Sequence, residues 1–141
     1  MRKALSVIAA LLCCTAHAEV TVKDAWVRGT VAAQTVTGAF MTVTSSEDAK
    51  LVAARSPIAS MTEIHRSTMK DGVNRMDAAG AVALPAGKAV ELKPGGYHVM
   101  LMGIAKPVVA GAKVPIQLTV EDRRGKRSTI EVQAEVRPLG K

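Results

Sequence analysis

Val114-Pro115-Ile116-Gln117-Leu118-Thr119-Val120-Glu121 carries an apolar side chain at every second position, with Pro115, Gln117, Thr119 and Glu121 between them. A period of two belongs to a strand with one buried face. Beyond Asp122–Lys126, Ile130, Val132, Ala134 and Val136 alternate in the same way against Thr129, Glu131, Gln133 and Glu135. The two runs predict a β-hairpin, and Gly125 supplies the backbone freedom its turn requires.

Working outward toward the N-terminus, further strands are expected at Val20–Val27, Thr35–Thr44, Lys50–Arg55, Thr62–Met69, Val73–Asp77, Ala89–Leu92 and Tyr97–Met102. Ser56-Pro57, Asp71-Gly72, Pro85-Ala86-Gly87 and Pro94-Gly95-Gly96 punctuate them at regular intervals. Ala78–Leu84 is apolar but short and contains Gly80, which reads as a loop with a brief strand. No segment after residue 18 shows a helical period. Many short strands with regular turns predict an all-β domain, an antiparallel sandwich or barrel of Greek-key type. There is no repeat, linker or low-complexity tract.

The first 18 residues stand apart. Met1-Arg2-Lys3 is a short basic start, Ala4–Cys14 an apolar run, and Ala16-His17-Ala18 a small-x-small cleavage pattern. Together they read as a secretory signal peptide, too short to span a membrane. A lipidated cysteine wants a small residue before it, whereas Cys13 follows Leu12 and Cys14 follows Cys13. Cleavage before Glu19 is therefore expected, leaving a single domain over 19–141 and delivering it to the periplasm. Both cysteines go with the leader, so the exported domain has neither disulfide nor thiolate ligand. Its net charge falls from +7 to +5 with the loss of Arg2 and Lys3. The basic residues are scattered except at Arg123-Arg124-Gly125-Lys126-Arg127, and only Trp26, Phe40 and Tyr97 are aromatic. Too few aromatic platforms remain for nucleic-acid binding, and the basic run reads as a solvated hairpin tip.

After residue 18 the residues able to carry chemistry are two histidines, His65 and His98, and six methionines. His98 and Met100 are i and i+2 on one predicted strand and share a face. Met76 ends a strand that pairs, across the Asp71-Gly72 turn, with the strand bearing His65. Two hairpin-like elements would thus each deliver one imidazole and one thioether to a common point. Thioethers are neutral and polarisable and favour a soft monovalent ion, whereas magnesium and calcium want oxygens and Cu(II) wants tetragonal nitrogen and oxygen donors. His65, Met76, His98 and Met100 therefore suit one Cu(I) ion, with Ag(I) as its mimic. Met41 and Met61 read as core gap fillers. Met69 and Met102 are core packing or neighbours and substitute ligands of the site. Tyr97 shields the ion or simply packs.

His65-x10-Met76-x21-His98-x-Met100 resembles the H-x10-M-x21-H-x-M signature of the periplasmic copper chaperone family PCuAC. The similarity extends to Asp24-Ala25-Trp26-Val27-Arg28, Thr37-Gly38-Ala39-Phe40-Met41, Glu63-Ile64-His65 and the run from Leu92 to Met102. It implies a cupredoxin-like Greek-key sandwich and a shallow Cu(I) site. It also implies a carrier that takes copper to the copper-accepting subunits of cytochrome oxidases, alongside Sco-type proteins. The position of an optional extra methionine in some members is Arg66 here. Nor does the ending Val136–Lys141 carry the His/Met-rich tail that some members use for Cu(II).

Rival readings meet specific obstacles. A blue-copper electron carrier needs a cysteine thiolate, and none remains after cleavage. An enzyme with a Ser/His/Asp site would have to recruit one of the same two histidines, and Ser56, Ser60 and Ser67 lack an elbow motif. No enzymatic activity is expected. A metal-free binding sandwich predicts no response to copper, and a copper storage or tolerance protein would share the site but not the delivery role. A monomer is the expected state.

Overall fold

Alternation in the sequence becomes strand after strand in the computed structural model, which describes residues 18–139. The strands are β1 (Val20–Arg28), β2 (Val36–Ser45), β3 (Ala49–Arg55), β4 (Met61–Lys70) and β5 (Val73–Ala78). They continue with β6 (Val82–Leu84), β7 (Ala89–Leu92), β8 (Tyr97–Met102), β9 (Lys113–Asp122) and β10 (Arg127–Arg137). The signal-peptide reading falls on residues 1–17, outside the described residues, apart from Ala18.

β9 and β10 form the expected hairpin. Ile116 pairs with Val132 and Val114 with Ala134, so the two apolar stripes share one face. Asp122 locks the turn, its Oδ1 accepting from the amides of Arg124 and Lys126 at 2.9 Å each. These charge-assisted bonds hold the Asp122 carboxyl below its usual range.

Hydrogen bonding joins the strands in the order β5-β4-β8-β2-β1-β10-β9-β3-β6, with β7 adding to β2 beyond the end of β8. The inward faces of the two halves of this path meet in one core. It includes Val43, Leu51, Val99, Leu101, Ile116, Leu118 and Val120. This is the all-β architecture expected, with one departure from a purely antiparallel sheet. β1 pairs with β10 in parallel, Trp26 beside Glu135 and Val27 beside Val136. First and last strands are separated by nearly the whole domain, which provides the long connection that a parallel pair needs.

A second irregularity positions the candidate site. Along β1 and β2, Val22 faces Val43 and Lys23 faces Thr42; the register then slips, and Trp26 faces Phe40. Asp24 sits in the slip with φ 54°. The extra residue of this bulge reverses which side chains point inward. Before it Val20 and Val22 look to the core; after it Val27 does, fully buried, while Trp26 and Arg28 turn to the outer face.

Candidate metal centre

β4 and β8 lie side by side, and their antiparallel register sets His65 directly opposite His98. Alternation gives β4 two faces: Ile64 goes into the core, and Glu63, His65 and Ser67 look outward. On β8, Val99 and Leu101 go inward, and His98, Met100 and Met102 outward. The histidine pair therefore stands on the back of the sheet, separated from the core by the backbone itself. β5 adds Met76 opposite Ser67, one step along the strand from the histidine rung.

The two imidazoles lie 6.0 Å apart between ring centroids, inclined at 63°. Each has one nitrogen committed. His65 Nε2 donates to Glu63 Oε2 at 2.8 Å. His98 Nδ1 donates to the Gly96 carbonyl at 3.2 Å, an oxygen that also accepts from the Ser67 amide at 3.0 Å. Carbonyl and carboxylate oxygens only accept, so each committed nitrogen carries the proton and the other carries a lone pair. Those others, His65 Nδ1 and His98 Nε2, are buried with no hydrogen-bond partner. A buried polar atom left unpaired is costly, and two on facing rings are what a metal ion would satisfy. An outer oxygen that fixes ring tautomer and orientation is the usual support of a metal-binding histidine.

Electrostatics point to a low charge for the ion. Burial pushes the His98 pKa down from 6.5, and the neighbouring His65 and Arg28 lower it further, against the opposing pull of the Gly96 carbonyl. The ring is thus kept neutral and ready to donate a lone pair. Arg28 stacks its guanidinium 5.4 Å from the Phe40 ring centroid, and Phe40 packs beside Trp26 at 4.5 Å. A fixed positive charge in this position favours a monocation over a dication.

A shallow cavity of about 250 Å³ brings Met76, His98 and Met100 together with Arg28, Gly38 and Phe40. His65 does not line it but lies alongside, against His98. Met76 is 53% exposed and forms the open wall. A larger cavity, about 860 Å³, lies between the end of β3, the start of β4 with Met61, and the outer positions Pro115, Gln117 and Thr119 of β9, and includes neither histidine. His98, whose Nε2 is unpaired, lines the smaller one. Among the described residues no group of three or more His, Cys, Asp or Glu is placed to hold a metal, so an ion held here would depend on thioethers.

Other sequence expectations fare unevenly. Met41 is core filler, 2% exposed, but Met61 is not: it is 51% exposed. Its place at the start of β4, on the outward alternation, removes it from the core. Met69, opposite Asn74, is 71% exposed and does not pack in the core either. Met102 is half-buried beyond Met100, with Met61 and Val36 as its cross-strand neighbours. Tyr97 does not shield the site. One residue before His98, it takes the opposite face, packs against the core and carries the Arg66 guanidinium 5.3 Å from its ring. The sequence reading gave no role in the site to Glu63, Arg28, Phe40 or Trp26. The Glu63-x-His65 spacing, two residues on one strand face, was the available signal for the first. The other three depend on strand pairing and on the β1 bulge.

The sequence matches the LpqE-like protein family, described as "Putative lipoprotein LpqE-like", over residues 20–136. A curated relative, "Putative lipoprotein Lxx21020" of Leifsonia xyli subsp. xyli (strain CTCB07), is 36% identical over 104 residues, or 73% of this chain. The chain spans 63% of that protein's length. The apo-DR1885 solution structure from Deinococcus radiodurans is 29% identical with a TM-score of 0.61, covering 99% of this chain and 93% of that one. DR1885 has also been solved as its Cu(I) form, 31% identical, TM-score 0.57, covering 82% and 78%. The copper-bound PCuAC domain of PmoF2 has the same fold at 20% identity, TM-score 0.62, covering 86% of this chain and all of that one. The chain accordingly belongs to the LpqE-like family and folds as a cupredoxin-like PCuAC domain.

Proposed function

We propose that this chain binds one Cu(I) ion through His65 Nδ1, His98 Nε2 and the thioethers of Met76 and Met100, and carries it as a metallochaperone. One observation bears most of the weight: the two facing imidazoles present unpaired, buried nitrogens, each with its opposite nitrogen held by an oxygen. Four neutral donors leave the ion its full single charge, which Arg28 tolerates better than a second charge. The Cu(I) form of DR1885, 31% identical, supports the same cargo. No reaction is catalysed in this reading. The ion is substrate and departs unchanged.

Exposure suggests how it departs. Met76 is the most open of the four and carries no proton, so it can leave the ion without proton uptake while a partner's ligand enters. The recipients in this reading are copper-accepting oxidase subunits or Sco-type proteins, met by a monomer exported to the periplasm. The names of the family and of the Leifsonia relative speak of lipoproteins, and among the described residues no helix is long and apolar enough to cross a membrane. Mass spectrometry of the exported chain distinguishes cleavage before Glu19 from an acylated Cys13 or Cys14.

Anaerobic Cu(I) titration of the 19–141 chain against a chromophoric chelator tests the site, beside a Met76→Ala/Met100→Ala variant. One equivalent captured by the wild type and a large loss in the variant are expected. Equal competition by both would make this a metal-free β-sandwich. Transfer from the loaded chain to an apo oxidase copper domain tests delivery; retention of the ion would favour storage.

A further inference from the structure

Five of the six methionines after Met1 stand on one face of the molecule. Met61 and Met69 follow the alternation of His65 on β4, Met100 and Met102 that of His98 on β8, and Met76 opposes Ser67 on β5. Because His65 opposes His98, all five project to the same side, and Met41 alone serves the core. Packing does not account for this choice. At half-exposed strand positions, β-branched and aromatic residues are the usual occupants, and a thioether 51% exposed at Met61 buries little.

The register gives the face a ladder. Met61 opposes Met102, Glu63 opposes Met100, and His65 opposes His98. Successive rungs on one face are about 6.6 Å apart, and directly opposed Cβ atoms about 5 Å. Two flexible thioethers at the first rung can therefore converge on one ion. Val36 flanks Met102 on the other side, and Glu63, one rung away, is engaged by His65. Ser60 and Glu131 line the cavity that Met61 borders, and a soft ion favours the thioethers over their hard oxygens.

We propose that Met61 and Met102 form a second, thioether-only site for a soft monovalent ion, two rungs from the histidine pair. The proposal rests on the function proposed above, since it takes the same soft ion as its ligand. Lacking imidazole, the site holds its ion more weakly than the first.

The test is a titration of Ag(I) into the 19–141 chain, which contains every described strand, with carbon-13 labels on the methionine methyls. The first equivalent should move the Met76 and Met100 signals, and the second those of Met61 and Met102. Met61→Leu/Met102→Leu removes both donors and should keep the first equivalent and abolish the second. Met61 and Met102 signals that stay still through several equivalents, while Met76 and Met100 respond, overturn the second site and leave the first standing. Loss of both equivalents in the variant overturns it too, by showing one joint site. Shifts at Met61 and Met102 alone support the second site and defeat the four-ligand reading. No shift at any methionine defeats both.

Discussion

At the histidine pair each ring has one nitrogen tied to an oxygen, Glu63 Oε2 for His65 and the Gly96 carbonyl for His98. Removing the Glu63 carboxylate frees the His65 ring to turn and to exchange tautomers. Glu63→Ala should lower Cu(I) affinity by about 10–100-fold, read by chelator competition, with the circular dichroism of the apo chain unchanged. His98 makes a pH prediction. Its pKa lies below the ordinary 6.5 chiefly because the ring is buried. Between that lowered value and 6.5 the unfolded chain takes up a proton that the folded chain refuses, so stability rises with pH there. The metal-free protein should be fully stabilised above about pH 6.5 and lose stability as the pH falls toward the folded value. Urea midpoints at about pH 7.5 and about pH 5 measure the difference, which His98→Gln should shrink. An identical difference in that variant would remove His98 as its source.

Among the elements, β1 and β2 show how local backbone shapes the site. The bulge at Asp24 turns Trp26 and Arg28 outward, where Trp26 supports Phe40 and Phe40 lies 6.1 Å from the His98 ring centroid. Gly38 is the space into which that ring leans. A Cβ there would meet Phe40 Cζ at 2.9 Å, and the ring has Trp26 and His98 on its sides. Gly38→Val should therefore cost about 1–3 kcal/mol, as overpacking does, and also weaken Cu(I) binding by displacing Phe40. A urea midpoint and a chelator titration on the same sample check both effects. Retained Cu(I) affinity with lost stability would separate Phe40 from the metal site.

For the molecule as a whole, the sheet divides labour between its two faces: stability inside, chemistry outside. Ile116 is fully buried on the inner face of β9, whereas Met76 stands half-exposed on the outer face of β5. Ile116→Ala should destabilise by about 2–5 kcal/mol and leave the Cu(I) stoichiometry of the remaining folded protein intact. Met76→Ala should do the reverse, changing stability by no more than about 0.5 kcal/mol while weakening the ion. Paired denaturation and Cu(I) titration of the two variants measure this. If Met76→Ala proved as destabilising as Ile116→Ala, the outer face would belong to the core.

Strand positions, the β9–β10 hairpin and its inward residues were legible from the chain because a period of two is a local property. Each side chain's direction follows from its immediate neighbours. The spacing of His98 and Met100, and the Asp71-Gly72 turn that folds Met76 back toward His65, were legible for the same reason. What no local pattern contains is the pairing of strands distant in sequence. The register that opposes His65 to His98 joins residues on strands that are not consecutive. The bulge at Asp24 breaks the alternation on which reading β1 depends, and so hid Arg28 and Trp26 from it. Met61 looked like core because its type is apolar; alternation puts it on the face of His65, and only the tertiary structure decided that this face of β4 lies away from the core.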